Sequence, residues 1–310
     1  MMRWLAALLV LLPLPASGQD PGAPPGTEPA SAQPPAPTAD EVLALGQDAP
    51  GRMTVPVKIG SQGPYPFTID TGAERTVISR ELASLLALPP GRRVRLTAMV
   101  GTSDVDTVRI PKLTMSSVSG EQIEAPSLNG RDLGAPGLLG LDSLKGHAVS
   151  IDFERGQMSV RPSRKRFRQY DAEPGEIVVQ AKSLLGQLIV TDASYRGHTV
   201  RVVLDTGSAL SMGNSALRAR ALKRRETLTP VTVTAVTGAT LKADYTQIGA
   251  VRFGTVTFEN LPVAFADAAP FKRLGLDDKP ALLLGMDALR LFRRVDIDFS
   301  NREVRLLLPR

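Results

Sequence analysis

Two stretches decide how this chain folds: PYPFTIDTGAERTVIS at 64–79 and HTVRVVLDTGSALSMGN at 198–214. Each places Asp-Thr-Gly directly after a mostly apolar run, Phe67-Thr68-Ile69 before Asp70 and Val202-Val203-Leu204 before Asp205. A carboxylate at the end of a buried strand is costly unless hydrogen bonds or chemistry compensate it. Gly72 and Gly207 allow a tight turn whose N–H points at that carboxylate. Thr71 and Thr206 carry hydroxyls that can bond backbone across to the other copy and hold the two turns in register. A single Asp-Thr-Gly means little, although ordinary residue frequencies give fewer than about 0.1 copies in a chain of this length.

Reading outward, the whole chain repeats. Asp70 and Asp205 are 135 residues apart. Further on, APGLLGLDSLKGHAVSIDFERGQMSV at 135–160 has a second copy in PALLLGMDALRLFRRVDIDFSNREVRL at 280–306. There Gly140 and Gly285 are 145 residues apart, so the second copy holds about ten more residues between its motifs, assigned to the loop around 267–279. A domain-sized repeat with two matched motifs per copy is a far stronger signal than either motif alone.

The local signals are mostly β. Alternating or continuous apolar runs at 54–59, 231–236, 251–258 and 295–299 read as strands, with Gly and Pro punctuating them. Helices are few: Ser79 caps one through 81–86 that stops before Pro89, and Asn214 caps another over 216–225. Asp142 and Asp287 read as caps of the short helices after each Leu-Leu-Gly, while Asp152 and Asp298 read as strand-end structural residues. The resulting division is a leader at 1–18, a Pro/Ala-rich disordered linker at 19–48, a first half at 49–165, a connector at 166–182 and a second half at 183–310.

The leader has Arg3, an apolar run at 4–14 and a small-residue site at Ala16-Ser17-Gly18, the pattern of a secretory signal peptide. The alternative is an uncleaved anchor that tethers the protein, although the run is short for a membrane span. Residues 19–40 hold seven prolines and no large apolar residue, so they read as an extended linker. With no Cys, the exported chain must rely on its core rather than on disulfides, which suits a bacterial periplasm at least as well as a eukaryotic secretory route. The net charge of +6 is partly local, in Arg161, Arg164, Lys165, Arg166 and Arg168 and again in Arg218, Arg220, Lys223, Arg224 and Arg225. These read as a solvated linker and a solvated helix face, with contact to an anionic membrane surface or cell-wall polymer as the alternative. With 5% aromatics in an exported chain, nucleic acid is not an expected partner.

Other chemistries find little support. Only His147 and His198 exist, there is no Cys nucleophile, no His-Glu-x-x-His, no metal-ligand spacing, no Gly-x-Ser-x-Gly elbow and no phosphate-cradling glycine loop. The reading therefore includes no metal and no cofactor.

At these motifs the chain resembles the retropepsin-like aspartic peptidases, in the tandem single-chain form found among bacterial periplasmic aspartyl proteases. The resemblance covers about residues 52–308. Asp70-Thr71-Gly72-Ala73 and Asp205-Thr206-Gly207-Ser208 match the family's catalytic turns, and Leu138-Leu139-Gly140 and Leu283-Leu284-Gly285 match the strands beneath them. The implied fold is mainly β, two tandem barrel halves with short helices and the active site at their interface. The implied flaps are hairpins at 98–108 around Gly101 and at 233–244 around Gly238, 31 and 33 residues after their Asp.

The resemblance implies an endopeptidase whose two carboxyls, Asp70 and Asp205, share one proton and activate water. A monomer suffices for one such site. The implied substrate is a protein or peptide in the cell envelope, with limited cleavage of a membrane-protein ectodomain as the family's pattern. Ser208 carries a hydroxyl able to bond the outer oxygen of Asp205 and Ala73 has none, so Asp205 is expected to be the base and Asp70 the acid. Two alternatives stay open: a non-catalytic double barrel that binds peptide or an envelope component in the same groove, and pairing of each half with the same half of a second chain.

Overall fold

The computed structural model describes residues 41–48, 51–116, 118–163, 173–184, 187–222 and 228–309. The leader, the Pro-rich stretch at 19–40 and most of both basic clusters lie outside the described residues.

The first half is a sheet closed on itself. Six strands form the ring in the order Met53–Ile59, Gln62–Ile69, Gly137–Leu139, Val77–Ser79, Val118–Leu128 and Thr107–Met115. The last pairs back to the first through Lys58 with Thr114 and Ile59 with Leu113. Alternation explains the closure. In Met53–Ile59, Pro56 and Lys58 face out while Val55, Val57 and Ile59 face in, and the inner side fills with Phe67, Ile69, Ile110, Leu113 and Met115.

The second half repeats this order up to its closure. Gln187–Tyr195 pairs with His198–Leu204, then Ala281–Leu284, Met212–Gly213, Leu261–Phe265 and Thr240–Ile248 follow, and the return to Gln187–Tyr195 is made by the next strand, Val251–Phe253, and not by Thr240–Ile248 itself. The apolar run at 251–258 is thus a hairpin, Val251–Phe253 with Val256–Phe258, turning at Gly254 in a left-handed conformation (φ 50°). The extra residues at 267–279 form the helix Ala269–Arg273, whose Phe271, with Leu274 and Leu276 just beyond it, is buried against Ile189, Val203 and Leu283.

Side by side, the C-terminal hairpins of the two halves join them. His147–Asp152 pairs antiparallel with Arg294–Asp298, with Val149 opposite Ile297 and Ile151 opposite Val295. The sheet continues to Gln157–Pro162 on one side and through Glu303–Leu307 to Glu176–Leu184 on the other. Val149, Ile151, Val160, Ile177, Val295, Ile297, Val304 and Leu306 are all buried, so the join is largely core, with Ser163 Oγ also donating to Asp298 across it at 2.6 Å.

Three sequence expectations are corrected here. Residues 41–47, counted with the disordered linker, form strands Glu41–Ala44 against Gln157–Pro162 and Gly46–Gln47 against Met53–Ile59. Leu43 and Leu45 pack on the core, a signal that the neighbouring prolines obscured. The described part of the connector is largely the strand Glu176–Leu184. Asp142 and Asp287 do not cap their helices, which start at Gly140 and Gly285 without a side-chain cap. Ser79 and Asn214 do cap, accepting from the N–H groups of Leu82 and Leu217, and the second helix is Ser215–Ala221. Among the described residues no helix is long and apolar enough to cross a membrane.

Candidate active site

Each Asp-Thr-Gly turn hangs from its barrel by the same contacts. Asp70 N–H donates to the Leu139 carbonyl and Asp205 N–H to that of Leu284, both at 3.0 Å. Leu141 N–H then donates to the Ala73 carbonyl, and Met286 N–H to that of Ser208, both at 2.9 Å. The glycines of Leu-Leu-Gly permit this approach, since a Cβ on Gly140 would strike the backbone of Arg75 and one on Gly285 that of Leu210. Asp142 and Asp287 fasten the chain leaving the turn. Thr76 donates to Asp142 from N–H (2.8 Å) and hydroxyl (2.7 Å), as Ser211 donates to Asp287 (2.9 and 2.7 Å).

The threonines lock the turns together. Thr71 Oγ1 donates to the Leu204 carbonyl (2.9 Å) and Thr206 Oγ1 to the Ile69 carbonyl (2.8 Å). Each hydroxyl also accepts the other threonine's N–H at 3.1 Å. Both side chains are buried, so every donor and acceptor of this cross-link is matched away from water.

This lock brings the two carboxyls to one place. A Cβ on Gly72 would sit 2.7 Å from Asp205 Oδ1, and one on Gly207 would run into the Asp70 carboxyl. Each acid therefore lies against the opposite glycine, in space only glycine leaves. Asp70 Oδ1 accepts from the N–H groups of Gly72 (2.9 Å) and Ala73 (3.0 Å), whereas Asp205 Oδ1 accepts from Gly207 (3.1 Å). Burial pushes both carboxyls up. Asp205 is pushed to about 7, by loss of solvent first and then by the charge of Asp70. Asp70 rises through burial, countered by Arg52 and then by its two backbone donors.

Ser208 does not do what its sequence position promised. Its hydroxyl donates to the Leu210 carbonyl at 2.7 Å, two residues on, and so is turned away from stabilising an Asp205 anion.

Both flap segments are hairpins. Val94–Ala98 pairs with Gly101–Val105 and turns at Met99-Val100. Thr229–Thr234 pairs with Thr240–Ile248 around a turn closed by Gly238 N–H to the Ala235 carbonyl (2.9 Å), with Gly238 at φ 82°. Each tip leans on the other half. Met99 packs on the Phe271 cluster and accepts Ala269 N–H at 2.9 Å, while Val236 packs on Val77, Val105, Leu128, Leu133 and Leu138. Arg273 reinforces the first contact, reaching Glu74 at 2.6 Å and Thr97 Oγ1 at 3.4 Å.

Sequence reading missed the groups around the two carboxyls. Arg52 is buried in an ion pair with Asp48 (2.6 Å), which also accepts from Thr68 Oγ1 (2.9 Å). Arg52 and Gln187 reach the carbonyls of Gly207 and Gly72. The one available clue was that they, too, are 135 residues apart. Among the described residues, no three His, Cys, Asp or Glu side chains group as metal ligands would.

Two joined β-barrels that each offer an Asp-Thr-Gly turn to a shared carboxyl pair define a two-domain acid-protease architecture. The family models agree. Residues 55–146 match the one described as "gag-polyprotein putative aspartyl protease", and residues 191–288 match aspartyl protease. The chain belongs to the retropepsin-like aspartyl proteases, with two such domains in tandem. No curated protein matches it.

Proposed function

We propose that this chain is an aspartic endopeptidase that hydrolyses peptide bonds of protein substrates through a shared Asp70/Asp205 dyad. The observation that carries this is the placement of each carboxyl against the opposite turn's glycine, fixed by the reciprocal threonine bonds. Two acids so close hold one proton between them over a wide pH range, which supplies a base and an acid at once. The charged member takes a proton from water as the water oxygen bonds to the scissile carbonyl carbon. The protonated member gives its proton to the carbonyl oxygen, leaving a gem-diol. Collapse then breaks the C–N bond, with a proton passing to the leaving nitrogen and the dyad restored.

Both acids come from one chain, so the reading needs no second copy. The leader composition supports export and action in the cell envelope, and a membrane-protein ectodomain is taken as the substrate class from the resemblance alone. The test is peptidase activity of the full chain on a mixed peptide library across about pH 4 to 7, the range in which a shared-proton dyad works. Asp70→Asn and Asp205→Asn should each reduce turnover by about 10³-fold or more. Activity unaffected by either substitution would overturn the dyad. A wild type that binds peptides without cleaving them would favour a binding groove instead.

A further inference from the structure

Arg52 and Gln187 occupy matching places in the two halves. Arg52 immediately precedes the first barrel strand, Met53–Ile59, and Gln187 opens its counterpart, Gln187–Tyr195. Each crosses the interface to the other half's catalytic turn. Arg52 Nη1 donates to the Gly207 carbonyl at 3.3 Å, and Gln187 Nε2 donates to the Gly72 carbonyl. Both are nearly closed to solvent, at 5% and 8% exposure, so one buried position carries a charge and its twin does not.

The charge is placed unevenly with respect to the acids. Gly207, which Arg52 grips, is the glycine against which the Asp70 carboxyl lies; Gly72, which Gln187 grips, is the one that faces Asp205. The guanidinium therefore stands one residue from Asp70, and a neutral amide stands in the equivalent place beside Asp205. Asp48 holds the guanidinium there, accepting from Arg52 Nε at 2.6 Å and from its N–H at 2.7 Å, while Nη2 donates to the Leu133 carbonyl. The strands that pack beside the turns, Gly137–Leu139 and Ala281–Leu284, bring only Gly, Ala and Leu. Glu74, which follows the first turn, is engaged by Arg273.

We propose that Arg52, set against a neutral glutamine at the matching position, divides the roles of the dyad: it holds Asp70 as the charged member that takes a proton from water, and leaves the shared proton on Asp205, the acid. Arg52 is thus a positioning residue that acts through its field and touches no reacting atom. One further feature acts in the same direction: Asp70 is less fully buried than Asp205, while each carboxyl has two backbone donors, Gly72 and Ala73 for Asp70 and Gly207 and Ser208 for Asp205. The electrostatic order agrees: Arg52 is the largest influence lowering Asp70 and the smallest acting on Asp205. This reverses the assignment drawn from Ser208. It rests on reading the pair as catalytic, but its test does not depend on turnover.

The full chain labelled with ¹³C at the aspartate carboxyls would be titrated by NMR, with the two signals assigned from Asp70→Asn and Asp205→Asn. Where the pair holds one proton, Asp70 should give a carboxylate shift and Asp205 a carboxylic-acid shift. Equal shifts, or the proton on Asp70, would overturn the proposal whatever the variants do. The double variant Arg52→Gln, Asp48→Asn removes the charge without stranding a buried carboxylate. It should even out the two shifts and move the acidic limb of kcat/KM up by about one pH unit, the effect of one partly compensated nearby charge. Arg52→Lys should keep the proton on Asp205. A double variant that is less stable but keeps the wild-type proton distribution would show Arg52 to be structural only and would sink the idea. Should Asp70→Asn and Asp205→Asn leave peptidase activity intact, the catalytic reading fails, while the carboxyl shifts still report separately on the field of Arg52.

Discussion

The two halves are near copies at the Asp-Thr-Gly turns and differ a few residues away. The turns hang from Leu139 and Leu284 by bonds of equal length, the threonines exchange equivalent bonds, and Thr76–Asp142 corresponds to Ser211–Asp287. Beyond that shell the first half has the buried Asp48–Arg52 pair where the second has Gln187, and the helix before the Leu-Leu-Gly strand is the short Gly130–Leu133 in the first half and the longer Ala269–Arg273, in a longer connection, in the second. Geometry is thus duplicated where two carboxyls must meet face to face, while charge and packing are allowed to differ where the two acids need different roles. A buried ion pair contributes little net stability compared with apolar residues of the same size. Its presence on one side only is more naturally a matter of electrostatics than of holding the barrel together.

The comparison can be broken most severely at the longer of these two helices, Ala269–Arg273. Phe271 is buried in the cluster on which the first flap's Met99 rests. Phe271→Ala should cost about 3–5 kcal/mol in urea unfolding, and should also expose the flap turn at Met99-Val100 to limited proteolysis. Loss of stability with an unchanged flap cleavage rate would show that the flap does not depend on that contact.

The duplicated part makes the opposite forecast. Thr71→Val and Thr206→Val each remove a buried donor and an acceptor, leaving carbonyl and N–H groups unmatched. Each should cost about 1–3 kcal/mol by denaturant unfolding. The two costs should match, and the double variant should cost less than their sum, because the residues share one network. Unequal costs would mean that the lock is less symmetric than its distances.

How much of this was legible follows from what repeats. The barrels, the turns and the carboxyl pair were legible because Asp-Thr-Gly and Leu-Leu-Gly are strings of adjacent residues with one physical reason each: a tight turn, a grip, a close approach. Arg52, Asp48 and Gln187 are single letters outside any string, and what makes them matter is a reach across the interface that only folding creates. Asp142 and Asp287 were misread because an Asp near a helix start has the composition of a cap, whereas their partners Thr76 and Ser211 lie 66 and 76 residues earlier. Ser208 misled similarly: its nearest acceptor is the Leu210 carbonyl, and such local competition is typical of serine. Strand Glu41–Ala44 was hidden by the proline-rich stretch beside it.

A subtler contrast separates the two acids in stability. Asp205 titrates at about 7 in the folded chain against an ordinary 3.8. Between those values the folded state keeps a proton that the unfolded state has released, so stability is full below the lower value and declines as pH rises through the window. Asp205→Asn should therefore raise Tm at pH 8 by about 4 °C or more, with the gain shrinking toward pH 5. Asp70→Asn should gain less at pH 8, because it removes the acid that Arg52 favours in its charged form and leaves the more buried one ionised. Equal gains in the two variants, followed by thermal melts at several pH values, would argue against a directional field.

The smallest effect is expected where the halves meet at the surface. Arg273 and Glu74 link this helix to the first Asp-Thr-Gly turn at 2.6 Å, but their side chains are 42% and 36% exposed. An exposed pair contributes about 0.2–1 kcal/mol and is screened by salt. Glu74→Gln should thus change Tm slightly at low ionic strength and hardly at all in 1 M salt. Its stronger consequence should be in KM, because Arg273 also reaches Thr97 on the flap strand. A shared electrostatic latch makes KM for peptides depend on salt in the wild type and less so in Glu74→Gln. If the salt dependence of KM is the same in both, the flap is held by Met99 and the Ala269 N–H alone, and the ion pair is incidental to how the two halves differ.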